Sequence, residues 1–244
     1  MRLDGLIFDL DGTLTDTLSV ALTVFRETLR QFSGQSYTDE EIVAQFGPSE
    51  EGMFQHFAPD RWEECLRRYL ELYEREHRRA GRIFPGIDTA LDLLATRRIP
   101  LAVVTGKGPK SAAISLTQLG LTRYFDLIET GSPEGGVKPA CIRSVLARWG
   151  IAPDRIAYLG DVVSDIEAAR AAGLIPLAAA WDTRAEPEAL RSLAPAAVFH
   201  TVEEFVAWIA TLEPLGEPSR PAADDAHPPR HNESRKRCQQ DIGP

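Results

Sequence analysis

Four short polar stretches of this 244-residue chain carry the residue types that could do chemistry. The first is Asp9-Leu10-Asp11-Gly12-Thr13-Leu14-Thr15-Asp16, just past the apolar run Leu6-Ile7-Phe8. Two carboxylates two residues apart at the end of a buried strand are costly unless something pairs with them. A divalent cation is the simplest partner, and carboxylate oxygens suit magnesium. Gly12 permits the tight turn that brings both acids to one spot. Alone, the same residues also fit a polar turn with solvated aspartates. The second stretch, Val104-Thr105-Gly106-Lys107-Gly108-Pro109, offers a hydroxyl and free backbone N–H groups to phosphate oxygens, though such turns also serve only to cap a helix. The third, Gly135-Gly136-Val137-Lys138-Pro139, places a lysine next to a proline suited to the first turn of a helix. Lys138 reads either as a point charge for phosphate or as a solvated side chain. It is not a P-loop, because the Gly-Lys-Ser/Thr ending is missing. The fourth, Gly160-Asp161-Val162-Val163-Ser164-Asp165, supplies two more carboxylates, either as ligands of the same cation or as helix caps.

The elements that must position these groups follow from hydrophobic periodicity. Leu6-Ile7-Phe8 reads as a buried strand. From residue 17 to 82 apolar residues recur at helical spacing on a charged background: Val20, Val24, Phe25, Leu29 and Phe32, then Ile42, Val43 and Phe46, then Met53, Phe54 and Phe57, then Trp62, Leu66, Tyr69, Leu70 and Tyr73. Ser33-Gly34 and Gly47-Pro48 break the pattern. Afterwards strands at 101–104, 125–128, 156–159, 174–179 and 198–199 alternate with helices at 90–95, 111–119, 140–149, 165–172 and 202–212. Gly120, Gly150 and Gly173 close three of the helices. Pro176 predicts an edge position for the strand that carries it. Strand alternating with helix gives an α/β, Rossmann-like parallel sheet with helices on both faces. The expected organisation is a core of residues 1–16 and 83–212, an inserted all-helical cap of residues 17–82, and a disordered tail of residues 213–244. All four polar stretches then fall at the carboxyl ends of strands, where open α/β sheets bind ligands.

Composition narrows the partners. The formal charge is −9, so nothing favours nucleic acid or anionic lipid, and an anionic substrate needs a local positive site. Three scattered cysteines, Cys65, Cys141 and Cys238, make neither a zinc site nor a redox pair and fit a reducing compartment. No apolar stretch approaches the ~20 residues of a membrane span, and no signal peptide is evident. The expectation is a cytoplasmic monomer or homodimer. Asn232-Glu233-Ser234 matches a glycosylation sequon by chance.

The order, spacing and placement of the four stretches resemble the four motifs of the haloacid dehalogenase-like hydrolase superfamily. They are most similar to its phosphoglycolate phosphatase-like branch, and the helical insert resembles that superfamily's small C1-type cap. The resemblance implies a magnesium-dependent phosphatase acting on a small phosphorylated metabolite, a phosphoglycolate-like monoester, through an aspartyl-phosphate. It makes Asp9 the nucleophile and Asp11 the general acid–base. Thr105, the Gly106 amide and Lys138 would hold the phosphoryl group. Asp9, the Asp11 carbonyl and Asp161 would bind magnesium, with Asp165 ordering that shell. The cap would close over the site, with Gly47, Pro48, Ser49 and Glu50 facing it; Arg61, Arg67, Arg68 and Arg75 are alternatives for gripping a second anion. One departure stands out: phosphoglycolate-type relatives often read Thr-Asn-Lys where this chain has Thr105-Gly106-Lys107. A β-phosphoglucomutase-type phosphomutase shares all four motifs. A degenerate binding protein is the remaining reading, opposed by the presence of Asp9, Asp11, Lys138 and Asp161.

Overall fold

The computed structural model describes residues 2–213. Six parallel strands form the central sheet: β1 (Gly5–Phe8), β4 (Leu101–Val104), β5 (Leu127–Glu129), β6 (Ile156–Gly160), β7 (Ile175–Ala179) and β8 (Ala197–Phe199). Their spatial order is β5-β4-β1-β6-β7-β8. The central strands β1, β4 and β6 are short apolar runs because both of their faces are covered, whereas the edge strand β5 leaves Ile128 exposed. Along β1, Leu6 and Phe8 pack on one face and Ile7 on the other; Leu101 and Val103 alternate with Ala102 and Val104 in the same way. On the first face lie α5 (Ile87–Thr96), α6 (Pro109–Gln118) and α10 (Val202–Ala210); on the second lie α7 (Lys138–Trp149) and α8 (Val163–Ala171). This is the expected α/β architecture.

Between β1 and α5 the chain forms α1 (Leu18–Ser33), α2 (Asp39–Val43), α3 (Glu50–Phe57) and α4 (Trp62–Ala80), which bury an apolar cluster of their own around Phe25, Phe54, Tyr69 and Tyr73. Both breaks fall at the sequence-predicted glycines: α1 ends at Gly34 with φ +71°, and Gly47-Pro48 separates α2 from α3. A two-stranded antiparallel stem that the sequence did not announce, β2 (Thr15–Asp16) with β3 (Arg82–Ile83), joins the ends of this helical segment. Arg82 reaches Asp16 across it at 2.7 Å, an exposed pair of small energetic weight. A short helix, α9 (Pro187–Ser192), was also unforeseen.

The expected edge position of β7 is corrected, because β7 lies between β6 and β8. Pro176 is tolerated there because it sits at the second residue of the strand. Its carbonyl accepts from the Ala196 N–H at 2.8 Å, while its nitrogen, on the same side, precedes the first residue of β8, so no rung is lost. Cys65 and Cys141 are buried free thiols. Among the described residues no helix is long and apolar enough to cross a membrane. Cys238, the 232–234 sequon and residues 214–244 of the tail lie outside the described residues.

Candidate active site

The carboxyl ends of β1 and β6 set the acids. The Asp9 N–H donates to the Leu159 carbonyl at 2.9 Å, extending the ladder one residue past β1 and aiming Asp9 over the sheet edge. Gly12 turns the chain with φ +82°. A Cβ there would stand 2.2 Å from Asp161 Oδ2, so glycine alone lets the two loops meet. Thr13 Oγ1 donates to Asp161 Oδ1 at 2.9 Å. One carboxylate oxygen each of Asp9, Asp161 and Asp165 lies within 4.8 Å of the others. Lys138, opening α7, places Nζ 3.3 Å from Asp9 Oδ1 and donates to Asp165 Oδ1. Tyr158 Oη, from β6, lies 3.1 Å from Asp165 Oδ1 and 2.9 Å from the Val104 carbonyl, sharing its one proton between them.

Three carboxylates face a single ammonium in this buried corner. Asp9 Oδ1 receives no hydrogen bond, since the ammonium beside it is out of line. Burial pushes the Asp9 carboxyl up to about 7, against the pull of Lys138 and with the push of Asp165 and Asp11. Burial, then Asp9 and Asp165, raise Asp161 as well. Lys138 is held charged: burial opposes its charge, but Asp165 and Asp9 more than offset that and raise it. An all-oxygen donor set with excess negative charge and an orphaned buried oxygen fits a hard divalent cation.

A second charged cluster lies beside the first. The Asp11 carboxylate accepts from Thr17 Oγ1 and stands, through Oδ2, 3.2 Å from Lys107 Nζ. Lys107 is buried, 3.6 Å from Glu50 Oε1 and over the Tyr73 ring at 4.4 Å. Burial opposes its charge, yet Asp11, Tyr73, Tyr69 and Glu50 hold its pKa well above the usual lysine range. Glu50, from α3, accepts from the Gly108 N–H and from Ser111 Oγ, both at 2.6 Å. Helix α3 is thereby tied to the turn after β4. The Ser49 N–H donates to the Ser132 carbonyl at 2.8 Å, a second tie between the helical segment and the sheet loops.

A cavity of about 710 Å³ lies above both clusters. Asp9, Asp11, Thr105, Gly106, Lys138 and Asp161 line it, together with Gly47, Pro48 and Glu50. The Thr105 N–H continues the ladder to the Glu129 carbonyl at 3.1 Å, and Thr105 Oγ1 accepts from the Lys107 N–H at 3.3 Å. A Cβ at Gly106 would meet nothing within 4 Å, so the position where relatives often carry asparagine is open space. Ser49 is buried against Glu51 rather than facing the cavity, and Asp165 lies beneath Lys138. Arg61, Arg67 and Arg75 are exposed, Arg68 bonds Gln31 and Glu71, and none of the four lines the cavity. The sequence reading missed Lys107, Tyr158, Thr13 and Thr17 as functional positions. The alternation Thr13-x-Thr15-x-Thr17 was the available signal for two of them, because three hydroxyls in a buried stem need partners.

A family profile for haloacid dehalogenase-like hydrolase matches residues 6–179. The chain is 27% identical to pyrophosphatase PpaX of Bacillus pumilus, over 85% of this chain and 96% of the relative. It is 28% identical to phosphoglycolate phosphatase of Synechococcus elongatus, over 73% of this chain and 84% of that protein. A haloacid dehalogenase-like hydrolase from Streptococcus pneumoniae superposes with a TM-score of 0.69 at 27% identity, covering 84% of this chain and 98% of the other. The chain belongs to the haloacid dehalogenase-like hydrolase family and sits among its phosphatases.

Proposed function

We propose that this protein is a magnesium-dependent phosphatase that hydrolyses a small phosphorylated metabolite through an aspartyl-phosphate on Asp9. The observation that carries the reading is Asp9: its carboxylate lies at the wall of a cavity large enough for an ester, and its Oδ1 is buried without a hydrogen bond, 3.3 Å from Lys138 Nζ. A carboxylate needs no activating base to attack phosphorus. Asp9 forms the new O–P bond as the bond to the leaving oxygen breaks, and Asp11 gives that oxygen a proton. Water then attacks the same phosphorus, Asp11 takes its proton, and the bond to Asp9 breaks to free phosphate. Thr105 Oγ1, the Gly106 N–H and Lys138 hold the equatorial oxygens, which is where phosphoryl transfer needs charge offset.

Asp9, Asp161 and, beneath them, Asp165 would hold the magnesium ion, together with the Asp11 carbonyl. Bound there, the ion supplies positive charge that lets a carboxylate and a phosphate approach. Lys107 and Thr17 fix the Asp11 carboxylate from two sides. The helical segment of residues 17–82 acts as a cap that excludes water during transfer and opens for product release, with Glu50 as its tie to the core.

Asp9→Asn should abolish hydrolysis of para-nitrophenyl phosphate in magnesium while leaving the fold intact. Full activity in that variant would refute the nucleophile assignment. Incubation with glucose 1-phosphate tests the phosphomutase reading: release of inorganic phosphate supports the phosphatase, and accumulation of an isomer opposes it.

A further inference from the structure

We infer that the leaving group of the hydrolysed ester is an uncharged, apolar body of about ring size, so the substrate is the phosphomonoester of an apolar alcohol. This rests on the phosphatase reading and narrows it, replacing the phosphoglycolate-like expectation.

The charge in the cavity is the first reason. Among the described residues only two cationic side chains line it, Lys107 and Lys138. Both are already committed, Lys107 to Asp11 and Glu50, Lys138 to Asp9 and Asp165. Once the phosphoryl group takes up Lys138, no side-chain cation remains for a carboxylate or a second phosphate. Glu50 and Glu167 add negative charge to the same walls. A second anion brought into this cavity would go unpaired, which is costly. The arginines that could have met it, Arg61, Arg67, Arg68 and Arg75, lie elsewhere on or before α4.

The walls are the second reason. Phe25, Val43, Phe46 and Met53 line the cavity from the helical segment, and Val137 and Val162 from the sheet loops. Of the five large apolar side chains that stand exposed among the described residues, three line this cavity: Val43, Phe46 and Val162. Exposed apolar side chains gathered around one concave site mark a surface that a ligand covers. The volume is the third reason. About 710 Å³ far exceeds a phosphoryl group with two carbons and falls in the range of cavities that enclose ring-bearing ligands. The open space at Gly106 adds room and removes a polar side chain beside the reacting phosphoryl.

The test compares kcat/KM of the full chain with magnesium on benzyl phosphate, methyl phosphate, 2-phosphoglycolate and pyrophosphate. The first three are esters of poor alcohol leaving groups, so their ranking reports binding of the leaving group more than its departure. Burying a phenyl ring predicts a preference for benzyl over methyl phosphate of roughly 10- to 100-fold, and a larger one over 2-phosphoglycolate. Phe46 is exposed, so its replacement spares the core. Phe46→Ala should cut the benzyl-to-methyl preference several-fold, and Phe46→Arg should shift the ranking toward 2-phosphoglycolate. If 2-phosphoglycolate or pyrophosphate is hydrolysed as well as benzyl phosphate while methyl phosphate still turns over, the inference fails and the phosphatase reading stands. If no ester is hydrolysed, both fail.

Discussion

Replacing Lys107 by methionine keeps the length and apolar stem of the side chain and deletes its charge. Lys107 Nζ stands 3.2 Å from Asp11 Oδ2 and 3.6 Å from Glu50 Oε1. At an effective dielectric of about 20, each contact is worth about 5 kcal/mol before desolvation. Burial of the lysine itself takes back several kcal/mol, and removing one partner of a buried pair costs about 3–5 kcal/mol in measured cases. The lower end applies here. The Asp11 side chain is 19% exposed and can be partly rehydrated, while Glu50, at 6%, keeps its hydrogen bonds from Gly108 and Ser111. A loss of about 3 kcal/mol lowers the melting temperature of a chain this size by roughly 6–12 °C. Circular dichroism melts and urea titrations at neutral pH would measure it. The loss should persist at molar salt, because buried charges are weakly screened. In a Glu50→Gln background the same replacement should cost less by at least about 1 kcal/mol, since the two side chains share one interaction. A drop under about 2 °C, or strict additivity in that cycle, would refute the buried-charge account of how the helical segment is tied to the core.

Magnesium at a hundredfold excess over its dissociation constant should stabilise the protein by about 2.7 kcal/mol. Asp161→Asn should abolish that thermal shift yet leave the metal-free protein no less stable, because it removes one of three crowded carboxylates; a retained shift would oppose the metal assignment. His77 is buried with Nε2 unpartnered and Nδ1 2.9 Å from Gln118 Oε1. Burial lowers its pKa below 6.5, opposed by the Gln118 hydrogen bond and Asp11 and aided by Lys107. The unfolded chain therefore binds the proton first, so this contribution is complete above about pH 6.5 and is lost as pH falls below it. Melting temperature should fall less steeply with acidification in His77→Gln; equal slopes would show that His77 does not titrate this way. Phe205 is fully buried among Phe8, Phe199, Trp181 and Trp208, with ring centroids 5.3–6.1 Å away. Phe205→Ala should cost about 3–5 kcal/mol in urea unfolding, and a loss below about 1 kcal/mol would mean that this packing is not what joins α10 to the sheet.

Much of this protein is determined by local sequence. Short apolar runs alternating with helical segments read as strands of a covered parallel sheet, and the carboxyl ends of such strands are where ligands bind. That put Asp9 and Asp161 each at the carboxyl end of a strand; the parallel pairing of β1 with β6, a tertiary fact, brings those two ends to the same edge. Glycines at Gly12, Gly34 and Gly150 marked turns whose positive φ favours that residue. What tertiary structure alone decided is which of several identical side-chain types does what. Lys107 and Lys138 both stand in glycine-bearing turns, and only the second is singled out by its motif, yet one clamps Asp11 to Glu50 and the other joins Asp9 to Asp165. Glu50 is expected from the sequence as a cap residue facing the site, but its partners Gly108 and Ser111 lie some 60 residues away and tie it to the core. Pro176 marks an edge by local rule, and only the point at which β8 begins shows that no rung is missing. Long-range charge pairing depends on distances of a few ångströms between segments whose separation along the chain carries no record of them, and those distances appear only once the sheet and the helical segment have closed on each other.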